Sequence, residues 1–249
     1  MDIIKDIFYT NKRVFKLAID SFIKNWIIIF TGLFYSLATI ILYISLPHFW
    51  ILAGLVMIIV TSALISNYLH LINCIITRNK FDIQDFKEGF TIYLNKVWGI
   101  SFIGWFGSLV VSTLIMPIFS RGNLAIELNL IINFLVITLL NALPESVYQK
   151  MYNPWDTIVY TFEFIKENWI EWFVPNIILS IVLYLLTGSF LSGVFKYYIP
   201  LRFNILSPRV FLIYILGQII FSFTMIYRGY LFDILSTSTR RKRLFMREF

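Results

Sequence analysis

Six long uncharged runs of apolar residues dominate this 249-residue chain. A helix needs about 20 such residues to cross the roughly 30 Å hydrocarbon layer of a bilayer. The runs cover residues 26–46, 49–76, 97–119, 128–143, 172–195 and 210–227, and the fourth begins near Leu124 with Glu127 at its edge. Strands of a closed barrel alternate over short segments, whereas these runs are continuous. The sequence therefore predicts six transmembrane helices.

Composition supports the same interpretation. Hydrophobic residues make up 59% of the chain and charged residues only 14%, against about 45–50% and 25% in soluble domains. A soluble cytosolic enzyme, a secreted disulfide scaffold and a disordered chain are excluded. The single cysteine, Cys74, cannot form an internal disulfide and is expected to be a small buried residue. The first run lacks a small-residue cleavage site, so we expect it to be retained as a span.

The distribution of basic residues predicts the orientation. With six spans, seventeen of the 21 Lys and Arg residues fall on the side that holds both termini. Basic residues are enriched on the cytoplasmic side, so both termini are expected in the cytoplasm of a cell-membrane protein. The net charge of +7 then reflects contact with anionic lipid rather than nucleic acid. The tail residues expected to contact anionic lipid are Arg240, Arg241, Lys242 and Arg243.

A short pattern of apolar residues recurs at intervals of about 71 residues, each time just before an odd-numbered span. Its apolar positions fall on one helical face, with charged residues opposite, as in helices that lie at a membrane interface. The three sets are Phe15, Ile19, Phe22 and Trp26; Phe86, Phe90, Tyr93 and Val97; and Ile158, Phe162, Ile165 and Trp169. Each unit crosses twice, so successive units are parallel. Chance matching among abundant aromatic residues is the alternative.

The fold class predicted is therefore an all-α polytopic membrane protein. It has six transmembrane helices as three parallel hairpin repeats, each preceded by an amphipathic interfacial helix. The chain forms a single membrane domain over residues 1–249, with units at about 12–82, 83–153 and 154–230 and a basic tail at 231–249.

Polar side chains recur inside the apolar runs at helical spacing. Polar groups within a membrane are expensive and usually face the bundle interior. The set comprises Asn67, His70, Asn73, Asn129, Asn133, Asn176 and Gln218. Hydrogen bonds between helices explain such stripes most simply. The alternative is a polar pocket between the repeats, which would bind a lipid headgroup or a small solute.

The sequence contains no motif for catalysis or cofactor binding. It has no phosphate-binding glycine loop, no G-x-S-x-G elbow and no Cys/His cluster with metal-ligand spacing. The two histidines are His48 and His70. No catalytic, cofactor or metal residues are therefore predicted, and an ATPase would have to be a separate chain.

The chain resembles a loose group of bacterial and archaeal six-span membrane proteins. These are the YciC-like proteins and the membrane domain fused to some glycerophosphodiester phosphodiesterases. The resemblance rests on the lead-ins that end at Trp26 and Trp169, on D-I-Q-D-F-K-E-G at residues 82–89, and on Tyr227-Arg228. It implies the six-span architecture. The phosphodiesterase catalytic domain is missing from this sequence, so that activity is not implied.

Two functions from different classes are supported as hypotheses. The first is a non-enzymatic membrane module that binds membrane lipids or another membrane protein in the cell envelope. Its basis is the set of three interfacial helices, the basic tail and the lack of a catalytic constellation. The alternative is a transporter or export permease subunit that works with a separate ATPase, which the polar stripes and parallel repeats favour. An intramembrane enzyme is disfavoured, because spacing sets up no acid–base pair.

Overall fold

The computed structural model describes residues 2–119, 124–188, 193–200 and 207–238, and every regular element in these ranges is helical. The α-helices are α1 (Asp2–Lys24), α2 (Ile28–Ser45), α3 (Ala53–Arg78), α4 (Ile83–Ile92), α5 (Leu94–Val110), α6 (Leu124–Leu139), α7 (Leu143–Gln149), α8 (Pro154–Thr187) and α9 (Pro208–Thr237). A 3-10 segment, Leu46–Leu52, joins α2 to α3, and α5 continues as a π-helical turn, Val111–Ile115, and a 3-10 turn, Met116–Phe119. The predicted all-helical class is confirmed.

Five segments are long and apolar enough to cross a membrane, where the sequence predicts six crossings. They are Ile28–Arg78, Leu94–Ile118, Ile126–Gln149, Pro154–Thr187 and Pro208–Thr237. The first of them is 51 residues long and includes both α2 and α3. Trp50 has a non-helical φ of 45° and ψ of −117° and breaks this segment between the two helices.

Local sequence signals explain several helix ends. Asp82 caps α4 by accepting from the Asp85 N–H, while the Asp85 carboxylate accepts from the Asp82 N–H. This reciprocal pair satisfies two backbone donors that the first turn leaves open. Asn153, directly before Pro154, caps α8 by accepting from the Asp156 N–H. Asn79 ends α3 in the left-handed conformation that asparagine tolerates.

Three predicted boundaries differ from the structure. The fifth run was expected to remain helical to residue 195, but α8 ends at Thr187 because Gly188 adopts the left-handed conformation, with φ of 63°. The sixth run was expected to end at Tyr227, but α9 continues to Thr237. The fourth run extends to residue 143, but α6 ends at Leu139. A second helix, α7, begins at Leu143 with Pro144 in its first turn, a position that proline favours.

The predicted interfacial segments take two forms. The first two lie in the separate helices α1 and α4. The third lies in the first part of α8, and a kink with non-helical φ/ψ at Asn168 separates it from the rest of that helix. Asn25 and Asn168 each donate from the side-chain amide to the carbonyl four residues earlier, that of Ser21 and that of Phe164.

The core lies around the second half of α9. Its buried side chains pack against α1, α3, α7 and α8. The largest fully buried side chains include Trp172, Tyr35, Tyr68, Phe221 and Phe232. By contrast, α5 and α6 bury few residues and present many exposed apolar side chains. Surface of this kind requires an apolar environment, which a bilayer supplies.

Candidate functional site

A cavity of about 540 Å³ lies between α6, α8 and α9. Residues 193–196, which follow α8, close one side of it. The lining residues are Phe134, Ile137, Thr138, Asn141, Pro144, Trp169, Phe173, Asn176, Ile177, Ser180, Ile181, Gly193, Val194, Lys196, Met225 and Arg228. Most of this lining is apolar, and among the described residues it includes two cations and no acid. Mostly apolar concavities with a few placed polar groups are typical of ligand sites.

The cavity opens at the outer surface of the helix bundle. Phe134, Trp169 and Ile177 line it and are 68%, 59% and 53% exposed. Phe134 comes from α6 and the other two from α8, so the opening lies between these helices. Both helices belong to segments apolar enough to cross a membrane. A molecule in the surrounding lipid therefore has a lateral route into the cavity.

Arg228 lines one end of the cavity and forms a buried ion pair with Glu145, which lies outside the lining. Arg228 on α9 donates from Nε and Nη2 to the two carboxylate oxygens of Glu145, at 2.7 and 2.9 Å. Arg228 Nη2 also donates to the Asn141 carbonyl at 2.6 Å. The guanidinium lies 5.0 Å from the ring centroid of Trp172. Bidentate pairing of this kind satisfies both charges in a site from which water is excluded.

A non-helical turn between α6 and α7 makes the Glu145–Arg228 pair possible. Residues 140–142 leave the helix, and the Asn141 side chain accepts from Trp172 Nε1 at 3.0 Å. The helix α7 then begins at Leu143, with Pro144 in its first turn. Glu145, the one acid of α7, follows in the same turn and is fully buried. The short helix α7 thus carries a carboxylate into the core, where α9 supplies the arginine.

Asn176 places a buried hydrogen-bond acceptor in the cavity wall. Its side-chain amide donates to the Trp172 carbonyl at 2.7 Å. Pro175 lacks an N–H, so α8 already departs here from regular helical hydrogen bonding. Asn176 is only 5% exposed, and its Oδ1 has no hydrogen-bond partner among the described residues. A buried acceptor without a partner is costly, and a ligand hydroxyl would satisfy it.

Lys196 is the second cation of the cavity wall. It lies outside the segments that are apolar enough to cross a membrane, in residues 195–200, which form no helix. Burial lowers its pKa to about 8. Ile199, in the same stretch, accepts at its carbonyl from Gln218 Nε2 at 3.0 Å and from Ser36 Oγ at 3.3 Å. These bonds hold this non-helical stretch against α2 and α9, because backbone without helical bonds must find partners nearby.

The polar side chains singled out on α3 bond to neighbouring elements and lie outside this cavity. Asn67 accepts from the Tyr35 hydroxyl at 2.5 Å and donates to the Phe86 carbonyl. Asn73 donates to the Tyr93 hydroxyl at 3.1 Å. His70 lies near Cys74 and Asp85. Asn67 and Asn73 thus act as interhelical hydrogen-bonding residues.

The other predicted polar residues lie in three separate places. Asn129 and Asn133 are exposed on α6, and Asn133 donates to the Asn129 side chain at 2.9 Å. Gln218 is buried in α9 and donates to Ile199 and to Tyr214. Among the seven residues of the predicted pocket, Asn176 alone lines the cavity. Arg240, Arg241, Lys242 and Arg243 lie outside the described residues.

Sequence reasoning missed the Glu145–Arg228 pair. The fourth apolar run ends at residue 143 and the sixth at residue 227, so Glu145 and Arg228 both fall just outside the predicted spans. A signal was available: Val147 and Tyr148 follow soon after the acid, and Tyr230, Leu231 and Phe232 follow the arginine. A charge with apolar sequence on both sides is expected to be buried and paired.

Comparison with known proteins gives no further assignment. No protein-family model matches the chain, and neither the curated proteins nor the solved structures include a significant match. The candidate site is therefore defined by the structure itself: a lateral apolar cavity with Lys196, the paired Arg228 and the open acceptor of Asn176.

Proposed function

We propose that this chain is a non-enzymatic integral membrane protein that binds an anionic lipid in the cavity between α6, α8 and α9. The observation that carries the proposal is the chemistry of that cavity. Its walls are mostly apolar, yet they include Lys196 and Arg228, and the described lining contains no acid. The charge of Arg228 is balanced by Glu145, which lies outside the lining. A ligand with an acyl chain and a negative headgroup complements both features.

The length of the cavity suits a lipid chain. On α8 the lining runs over residues 169–181, which corresponds to about 18 Å at 1.5 Å per residue. One leaflet of the hydrocarbon layer is about 15 Å thick. An acyl chain therefore extends along α8 while the headgroup meets a cation, and Asn176 Oδ1 accepts from a headgroup or glycerol hydroxyl.

The protein crosses the membrane six times in this proposal, because Ile28–Arg78 makes two crossings. As a straight helix, its 51 residues would measure about 76 Å, far beyond the 30 Å hydrocarbon layer. The break at Trp50 permits a reversal. Contacts between α2 and α3 support one, since Tyr35 bonds to Asn67 and its ring lies 5.8 Å from that of Tyr68.

A three-unit organisation, with units at 12–82, 83–153 and 154–230, remains part of the proposal. Its support is the matching junction in the first and third units, where Asn25 and Asn168 make the same bond to a carbonyl four residues earlier. In the second unit Lys96 stands at that position and donates instead to the carbonyls of Val147 and Lys150. The six-span family resemblance agrees with this organisation.

Cysteine labelling tests the six crossings. On a Cys74→Ser background, Ile51→Cys is expected to react with a membrane-impermeant maleimide on intact cells, whereas Gln84→Cys is expected to react only after lysis. Both positions are exposed, and they lie just beyond opposite ends of α3, Ile51 before it and Gln84 after it. If Ile28–Arg78 crosses once, residue 51 lies within the bilayer and stays unlabelled, which would contradict the proposal.

Lys196 provides the test of anionic-lipid binding. We expect Lys196→Gln to retain several-fold less phosphatidylglycerol than the wild type after exchange with mixed phosphatidylglycerol–phosphatidylcholine vesicles, measured by native mass spectrometry. Lys196→Arg keeps the charge and retains the lipid. Lys196 loses its proton as pH rises through about 8, so wild-type retention should fall between pH 7 and pH 10.

The controls separate this site from general surface charge. Lys150 lies outside the cavity lining, so Lys150→Gln should retain as much phosphatidylglycerol as the wild type. Lys196→Gln should also lack the pH dependence above pH 7. Equal retention of both lipids by the wild type, or unchanged retention by Lys196→Gln, would contradict anionic-lipid binding at this cavity.

A further inference from the structure

Three metal-ligating side chains meet where α3 joins α4. His70 and Cys74 are four residues apart on α3 and share a helical face, and Asp85 comes from the first turn of α4. One ligand atom of each lies within 4.8 Å of the other two. This cluster is separate from the cavity between α6, α8 and α9, so a metal bound by it would be independent of lipid binding.

The ligand separations match a tetrahedral zinc site. Zinc lies about 2.0–2.3 Å from nitrogen, oxygen and sulfur ligands, which places neighbouring ligand atoms of a tetrahedron about 3.3–3.8 Å apart. His70 Nε2 lies 3.4 Å from Cys74 Sγ and 3.8 Å from the Asp85 carboxylate oxygen Oδ1. Small side-chain rotations bring the third edge, at most 4.8 Å, into the same range.

Backbone contacts already orient the carboxylate. Asp85 Oδ2 accepts from the Asp82 N–H at 2.9 Å, so Oδ1 is the oxygen directed toward α3. The surrounding helices are also fixed, because Ser66 donates to the Gly89 carbonyl at 2.7 Å and Asn67 to the Phe86 carbonyl. A site assembled on two firmly packed helices holds its ligands in place before a metal arrives.

The guanidinium of Arg78 contacts the cluster of His70, Cys74 and Asp85. Its Nη2 lies 2.5 Å from Asp85 Oδ1 and 2.8 Å from Cys74 Sγ. The guanidinium thus contacts two of the three ligand atoms that a metal would need. The Arg78 side chain is 49% exposed, so it can rotate into solvent and leave both ligands to another cation.

We propose that His70, Cys74 and Asp85 form a zinc-binding site that Arg78 occupies when no metal is bound. Imidazole, thiolate and carboxylate together suit zinc, whereas magnesium and calcium prefer oxygen ligands alone. Binding converts the Cys74 thiol to a thiolate and releases its proton. Thiolate and carboxylate then balance the two charges of the ion, and the fourth position holds water or a partner's side chain.

Cobalt binding tests the proposal directly. The protein is purified in mild detergent with a histidine-free affinity tag, stripped with chelator and titrated with Co²⁺, and zinc is then added as competitor. We expect one Co²⁺ per chain, with thiolate-to-cobalt charge-transfer absorption that zinc abolishes. The absorption identifies Cys74 as a ligand, because the chain contains no other cysteine.

Variants then assign the ligands. Cys74→Ser, His70→Ala and Asp85→Asn should each weaken binding at least tenfold, while His48→Ala should bind as the wild type does. Arg78→Ala removes the competing cation and leaves all three ligands intact, so it should bind Co²⁺ more tightly. Wild type and Arg78→Ala both lacking the charge-transfer absorption would overturn the proposal, as would unchanged binding by Cys74→Ser.

Discussion

Arg228→Ala is expected to lower the free energy of unfolding by about 3–5 kcal/mol, because it leaves the buried carboxylate of Glu145 without its partner. Glu145 is fully buried and receives two hydrogen bonds from that arginine. For a chain of this size the loss corresponds to a fall in Tm of roughly 6–20 °C. Thermal denaturation of the purified protein in detergent measures it.

A double-mutant cycle distinguishes pairing from packing. Glu145→Leu alone and Arg228→Met alone should each destabilise by a similar amount. The double variant with both substitutions should recover much of the loss, because no unpaired charge remains. Glu163→Gln, on the exposed face of α8, is the control and should leave Tm unchanged. If the two single variants and the double variant are additive, the pair does not hold the bundle together.

Filling the cavity is expected to abolish lipid retention. Ser180 lines the cavity and is half-buried, so Ser180→Trp places an indole where the acyl chain would lie. We expect at least a tenfold weaker affinity for phosphatidylglycerol, equivalent to about 1.4 kcal/mol or more. Lipid exchange followed by native mass spectrometry provides the measurement.

A control on the same helix excludes a general effect of a bulky residue. Ile178 lies outside the cavity lining and is exposed. Ile178→Trp therefore adds the same side chain to α8 without entering the cavity, and its retention should equal that of the wild type. Equal losses in both variants, or none in Ser180→Trp, would rule out an acyl chain in this cavity.

The helical architecture was predictable because it depends on local pattern. Long apolar runs identify helices suited to a membrane, and capping residues such as Asp82 and Asn153 lie where the helices begin. The end of α8 was harder to predict from the sequence, since apolar residues continue past Gly188, where the chain leaves the helix. Apolar composition alone does not indicate where a helix stops.

The site was not predictable, because its parts are distant in sequence. Arg228 and Glu145 are 83 positions apart, and helical spacing predicts which residues share a face but not which helix they meet. Asn67 illustrates the difference. Its place on an inward face was deducible from the sequence, but its bond to Phe86 requires the close approach of α4 at Gly89, where a Cβ would lie 3.2 Å from the Asn67 Cα.

Photo-crosslinking tests most directly whether the cavity holds an anionic lipid. The wild-type protein is reconstituted with phosphatidylglycerol that carries a photoreactive group in its acyl chain, and the crosslinked peptides are mapped by mass spectrometry. We predict crosslinks concentrated on residues 134–141, at the end of α6, and on residues 169–181 of α8, which line the cavity, and we predict their loss in Ser180→Trp. Crosslinks spread evenly over the exposed faces of α2 and α5, and unchanged by Ser180→Trp, would contradict the proposed function.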